Sequence, residues 1–467
     1  MKRRIIHISL LILFVVFVNS LKAQTVQSWV TNADKSALFS KQPKPLAFSA
    51  AKKLSLPSIA IDDKKTYQQM DGFGFTLTGG SAQHLMKMSR EARTALLKEL
   101  FSYDKNNIGI SYLRVSIAAS DLDSVPFSYN DLPEGATDVN LQKFNLGPDY
   151  DNLIPVLKEI LAIAPDMKIL GSPWSAPKWM KTNNDTRGGS LKKEYYDVYA
   201  HYLVRYIQEM KRNGIHIDAI TVQNEPLHPG NNPSMYMPAE EQGQFVKTYL
   251  GPAFASAGLD TKIIIYDHNA NRPDYPISIL NDPDAKKYID GSAFHLYEGK
   301  IEALSEVHKA HPDKNLYFTE QWIGSPSNFG KDLAEHVNNL TIGATRNWCK
   351  TVLEWNLSSN PQLKPHTDRG GCDLCLGGIT LDGDKVTRNV GYYIVAHASK
   401  FVRPGSLRIG SNLPENLNNV AFLTPKGEKV VIVINNSTVK RLFSIRYGNK
   451  SFTAALSPGA VGTYVWK

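Results

Sequence analysis

No apolar run in this chain reaches the ~20 residues that a bilayer span requires. The longest, over 5–18, is 14 residues and contains a histidine. It follows Lys2, Arg3 and Arg4 and precedes Leu21-Lys22-Ala23, which is the pattern of a secretory signal peptide cut near Ala23. The expected location is therefore exported, in the periplasm or secreted, with no stable membrane insertion once the signal is removed. Removal takes away four basic residues and no acids, so the formal net charge falls from +9 to +5. No long basic run remains, and nucleic acid recedes as a partner.

Cysteine is equally scarce, with three in 467 residues. Cys349 stands alone, and Cys372 and Cys375 form a close pair in Gly-Gly-Cys-Asp-Leu-Cys-Leu-Gly-Gly. Zinc needs two further soft ligands that this neighbourhood does not supply. In an exported chain a short local disulfide is favoured over free thiols, and a thioredoxin-like redox motif comes third. His-x-x-x-His, an acidic calcium loop, Gly-x-Ser-x-Gly and a P-loop are all missing. Metal hydrolysis, a serine triad and nucleotide chemistry thus have no support, and neither cofactor nor metal is expected.

What is present is a globular balance, 42% hydrophobic and 21% charged, in a chain long enough for a large α/β barrel plus a smaller domain. Short apolar runs lie over 72–78, 110–117, 168–173, 219–223, 262–266, 292–297, 316–319 and 351–356. Between them are helical periods, for example over 89–103, 152–163, 194–212, 239–257 and 332–346. Strand alternating with helix eight times reads as α/β, a (β/α)₈ TIM barrel, assigned to 67–400. Residues 24–66 and 401–467 lack long helical periods and carry strand-like runs such as Lys-Val-Val-Ile-Val-Ile. They read as one side β-sandwich built from both chain termini.

Distinctive side chains fall at the C-terminal ends of these strands, where barrel enzymes keep their sites. Glu225 ends Ile-Thr-Val-Gln-Asn-Glu-Pro and Glu320 ends Leu-Tyr-Phe-Thr-Glu. Two carboxylates facing across one rim are what glycosidic cleavage needs: an acid for the leaving oxygen, and a nucleophile or base. A separation of ~5–5.5 Å means retention and ~6.5–9.5 Å inversion. Asn224 is expected to donate to a sugar 2-hydroxyl. Arg114 and Tyr297 are expected to bond Glu320 and keep it ionised, while Glu225 has a raised pKa as the acid. His295 is a ligand contact or a satisfied core group. Trp174 and Trp355 are candidate walls for a sugar ring, with Trp179 and Trp322 at pocket edges or outer subsites.

These motifs resemble glycoside hydrolase family 30, the clan A family of glucosylceramidases and β-1,6-glucanases. The similar stretches are Asp71-Gly72-Phe73-Gly74, Tyr112-Leu113-Arg114-Val115, Gly171-Ser172-Pro173-Trp174-Ser175-Ala176-Pro177, Gln223-Asn224-Glu225-Pro226, Phe294-His295-Leu296-Tyr297, Phe318-Thr319-Glu320 and Glu354-Trp355-Asn356-Leu357. The resemblance implies a barrel with a side β-sandwich, retaining hydrolysis, Glu225 as acid/base and Glu320 as nucleophile. It also implies that Arg114, Trp174, Asn224, His295, Tyr297 and Trp355 surround the sugar. Where glucosylceramidases read Thr-Asp-Ala, with an Asp that grips the terminal glucose, this chain has Thr78-Gly79-Gly80. The missing carboxylate is expected to open the pocket to a glucan chain. The resemblance thus points to the bacterial endo-β-1,6-glucanase branch, with a carbohydrate partner. An exo-acting β-glucosidase, glucosylceramidase or β-xylosidase is the alternative within the family, and a noncatalytic carbohydrate-binding protein the alternative outside it.

Overall fold

The computed structural model describes residues 24–50 and 56–467. The expected signal peptide over 1–23 lies outside the described residues. Eight parallel strands close into a barrel in chain order: β1 (Gly72–Leu77), β2 (Tyr112–Ile117), β3 (Lys168–Pro173), β4 (Ala219–Thr221), β5 (Lys262–Ala270), β6 (Ile289–Gly299), β7 (Asn315–Glu320) and β8 (Cys349–Asn356). Helices return the chain between them. The helix Arg90–Phe101 starts where Ser89 accepts from the Ala92 amide, and it buries Leu96, Leu97, Leu100 and Phe101 on one face. The helical segment expected over 239–257 forms, with a wider π-type stretch at Val246–Leu250 just ahead of Pro252, which has no N–H to donate.

Side chains inside the barrel change character along the strands. Tyr112, Leu170, Ala219, Ile264, Ala293, Tyr317 and Leu353 form an apolar cluster of their own. Strand side chains alternate with a period of two, so the next inward residues are Arg114, Ser172, Thr221, His295, Thr319 and Trp355. The apolar floor thereby carries a polar layer toward the C-terminal rim. β1 contributes Gly74 to the floor because a Cβ there would lie 1.9 Å from the Tyr112 carbonyl oxygen.

Among the described residues the side domain is an eleven-stranded sheet, ten strands in one hydrogen-bonded path and one paired off it, with a separate apolar core that includes Ile59, Val431, Phe443, Phe452 and Trp466. Thr25–Thr31 pairs antiparallel with Val461–Trp466, and Ser58–Gln69 pairs with Leu407–Ser411 and Arg441–Tyr447. Strands from both chain ends therefore share one sheet. His397, on the helix Val390–Ser399, bonds Thr31 and Thr463 at 2.8 Å each, tying that sheet to the barrel.

Candidate active site

β4 is short, yet the chain beyond it stays anchored on both sides. The Asn224 amide donates to the Pro173 carbonyl of β3 at 2.8 Å, and the Glu225 amide to the Asp267 carbonyl of β5 at 2.9 Å. Glu225 itself takes a left-handed backbone, φ 44°. Glu320 is the last residue of β7 and pairs with His295 of β6 just past a register shift after Phe294. Both carboxylates face a rim cavity of about 380 Å³ whose lining includes Asp121, Tyr297, Trp322 and Trp355. The expected disulfide, Cys372–Cys375, lines this cavity too.

Glu225, His295 and Glu320 each place a ligand atom within 4.8 Å of the others. His295 Nδ1 is 3.2 Å from Glu225 Oε1 and 3.8 Å from Glu320 Oε1, while Nε2 is 3.1 Å from Asp267. Arg114 is fully buried and gives one amino group to Glu320. Its other amino group donates to Asp267 at 2.9 Å, Asn224 Oδ1 at 2.6 Å and Ser172 at 3.1 Å. Tyr297 donates its hydroxyl to Glu320 Oε1 at 2.9 Å. Glu320 thus has two donors, one permanently cationic.

Burial opposes charge on His295, but Glu320 and the bonds to Asp267 and Glu225 outweigh it and hold the imidazole up at about 9. It is an imidazolium at neutral pH, with both nitrogens donating. The two carboxyls answer differently from the sequence expectation. Burial pushes Glu225 up, but the His295 hydrogen bond and charge prevail and hold it below the ordinary glutamate value. Burial pushes Glu320 up and, with repulsion from Glu225, prevails over His295 and Arg114. His295 acts on both carboxyls, hydrogen-bonding Glu225 and facing Glu320 across 3.8 Å. The proton belongs to the pair, and its position responds to what enters the cavity.

The structure brings Glu225, Glu320, Arg114, Asn224, His295, Tyr297 and Trp355 together. Arg114, Asn224 and His295 form the layer beneath the carboxylates. Asn224 accepts from Arg114 through its oxygen, which leaves the amide nitrogen as its donor. Trp174 is only 1% exposed, tilted against Trp355 at 5.4 Å, with the Arg114 guanidinium 4.7 Å from its ring. It therefore backs the wall, and Trp322 joins Trp355 on the cavity surface. Trp179 is not at the pocket edge: it packs in the core and donates to Asn130. The opening expected at Gly79 is also absent. A Cβ there would meet Asp123 Oδ1 at 1.8 Å, so a second carboxylate already fills the space.

Two acids of the site were not singled out in the sequence. Asp267 accepts from Arg114, His295, Ser172, Thr221 and Thr319, all within 3.1 Å, and these contacts, against burial, hold its carboxyl far below the usual range. Its signal was a position one residue out of phase with β5. Asp121 lines the cavity, and burial with the Glu320 and Glu225 charges pushes it up to about 8. The Glu225–His295–Glu320 cluster has the spacing of a cation site, and both nitrogens of its histidine already face carboxylates.

Two close carboxylates at the C-terminal rim of a TIM barrel, bordered by tryptophans, define an O-glycosyl hydrolase. The family 30 glycosyl hydrolase TIM-barrel domain matches residues 70–402 and the family 30 β-sandwich domain residues 405–464, and the chain belongs to glycosyl hydrolase family 30. An endo-1,6-β-D-glucanase of Aspergillus fumigatus is 35% identical over 404 residues, 81% of each chain. Lysosomal acid glucosylceramidase of Mus musculus is 28% identical over 438 residues, 88% of this chain and 83% of that one. The solved structure of the endo-β-1,6-glucanase BT3312 superposes with a TM-score of 0.88 at 35% identity, covering 95% of this chain and 99% of the other.

Proposed function

We propose that this chain is a retaining hydrolase of β-1,6-glucan, with Glu225 as acid/base and Glu320 as nucleophile. The observation that supports the mechanism is that one oxygen of each carboxylate lies within 4.8 Å of the other, on the close side of the gap that an inverting enzyme leaves for water. Substrate class is supported by the 35% identity to the Aspergillus fumigatus endo-1,6-β-glucanase and to BT3312. Export through the N-terminal signal would bring the enzyme to a polymeric substrate. In this reading 67–400 is the catalytic barrel, and 24–66 with 401–467 is its side domain.

Arg114 and His295 carry two positive charges against three on Glu225, Glu320 and Asp267, so one further proton on the carboxyl pair makes the cluster neutral. A bound sugar puts its electron-poor anomeric carbon at Glu320 and its glycosidic oxygen at Glu225, which selects the tautomer with the proton on Glu225. Glu320 then bonds to the anomeric carbon. The glycosidic bond breaks toward its oxygen, and that oxygen takes the Glu225 proton. In the second half, water gives a proton to Glu225 and its oxygen displaces Glu320. Asn224 and Trp355 orient the sugar as the charge develops.

Side-by-side digestion of β-1,6-, β-1,3- and β-1,4-glucans, xylan and glucosylceramide tests this reading. Release of oligosaccharides from β-1,6-glucan is expected, and activity confined to xylan or the lipid would remove the substrate assignment. Glu320→Gln is expected to lower kcat by at least about 10⁴-fold while the variant still folds and melts cooperatively. A near-normal rate in that variant would remove the mechanism.

A further inference from the structure

One wall of the cavity holds a side chain that the chemistry above does not use. His268 is 7% exposed, and its Nδ1 is buried without a hydrogen-bond partner. That nitrogen lies 3.9 Å from Glu225 Oε1, beyond hydrogen-bond reach. An unsatisfied buried polar atom costs about 1–3 kcal/mol, so a group kept this way needs a reason. The ring stands edge-on to Tyr266 with centroids 5.9 Å apart and borders the cavity.

His268 has polar company from the neighbouring strand end. His228 closes the turn after Glu225, its amide donating to the Glu225 carbonyl at 2.9 Å, and Asn231 donates to Glu225 Oε2 at 3.1 Å. Both residues line the same cavity. This wall adjoins Glu225, whereas Tyr297 and Arg114 hold Glu320. An acid faces the oxygen that leaves, so the groups beyond it face whatever leaves with that oxygen. Burial, against the pull of Glu225, keeps His268 down at about 4. A neutral imidazole offers one donor and one acceptor, which matches a sugar hydroxyl and not an aliphatic chain.

We propose that His268, flanked by His228 and Asn231, is a specificity-determining residue for the leaving side, its imidazole hydrogen-bonding a hydroxyl of the sugar that departs with the glycosidic oxygen. The inference rests on Glu225 being the acid and on a glucan substrate. Its test compares a β-1,6-gluco-oligosaccharide with the 4-nitrophenyl glycoside of the same chain, in which nitrophenol replaces the leaving sugar. His268→Ala is expected to reduce kcat/KM at least tenfold more on the oligosaccharide than on the nitrophenyl glycoside. His268→Gln, which keeps a donor and an acceptor, is expected to recover part of the difference, and it carries the test if the alanine variant melts early. Equal losses on both substrates in a folded variant would overturn the proposal. If the wild type does not cleave the β-1,6 chain, the substrate reading fails separately, and the ratio is taken on the β-linked gluco-oligosaccharide it does cleave.

Discussion

Asp267 occupies the inward position that Tyr266 would hold if β5 kept its register. The strand slips between Tyr266 and His268, and Tyr266 and Asp267 both take positive φ, 73° and 64°. This bulge turns a carboxylate into the centre of the polar layer, where it holds Arg114 against Glu320 and His295 against Glu225. Asp267→Asn keeps the shape but removes the charge that both cations share, and an amide nitrogen cannot accept from the surrounding hydroxyls. The expected result is a loss of at least about 10²-fold in kcat/KM and about 3 kcal/mol of stability, the size seen when one partner of a buried ion pair is removed. Steady-state kinetics and denaturant unfolding of the variant measure the two; wild-type values for both would show that the hub is dispensable. Asp267 also marks where sequence reading stops. Arg114, His295 and Trp355 follow from period-two alternation above an apolar floor, whereas Glu320 lies one residue past the inward Thr319, where the β6–β7 pairing shifts after Phe294. A one-residue slip changes which side chain points inward without changing the apolar pattern of 262–266. The pKa order of Glu225 and Glu320 was illegible for a related reason: it depends on how burial, His295 and Arg114 divide between two carboxyls that share one pocket.

At the scale of elements, the eight strands were legible because each apolar run is bounded by helical periods, and a period does not depend on side-chain detail. Connections between elements were harder to read. The Thr-Gly-Gly segment looks like a lost carboxylate, but the helix Gly79–Lys87 and the loop after β2 share one acid between them. Asp123 accepts from the Ser120 amide at 2.8 Å and hydroxyl at 3.1 Å, and its other oxygen fills the space beside Gly79. The same loop carries Asp121 into the cavity, so the packing of helix against loop fixes the height of a pocket side chain. Gly79→Ala is therefore expected to destabilise by about 1–3 kcal/mol, as overpacking does. In an Asp123→Ala background the same change should cost about 1 kcal/mol less or more favourable still, because the obstacle is gone. Denaturant unfolding of the four proteins measures the coupling. Additive effects would mean that helix and loop do not compete for this space.

For the molecule as a whole, buried titratable groups set how stability follows pH, and two populations oppose each other. Burial lowers His84 and His268 to about 4 and His397 to about 3, against about 6.5 unfolded. Between those values the unfolded chain binds more protons, so these histidines remove stability as the pH falls from 6.5 toward 4. Burial raises Asp121 to about 8 and Asp123 to about 7, and it raises Asp149 well above its ordinary value. These acids stay protonated in the fold when the unfolded chain has released its protons, so their contribution is lost as the pH rises from about 4 toward those values. Glu320, also held up, joins the acids, and His308 and His311, also held down, join the histidines, so the two sides oppose each other between pH 4.5 and 6.5. Above 6.5 the histidines no longer act, and His295, held at about 9, joins the acids in losing stability as the pH rises. Lys181, pushed down by burial to about 7, opposes them with one proton. The net slope above pH 7 is still downward, since each unopposed proton is worth about 1.4 kcal/mol per pH unit. Scanning calorimetry across buffers is expected to give a Tm level to about 2 °C from pH 4.5 to 6.5, then a fall on the order of 5 °C or more by pH 9. A Tm still rising at pH 8 would mean that Asp121, Asp123 and Asp149 are ionised inside the fold, and Asp121 would then meet the sugar as a second charged acceptor beside Glu320.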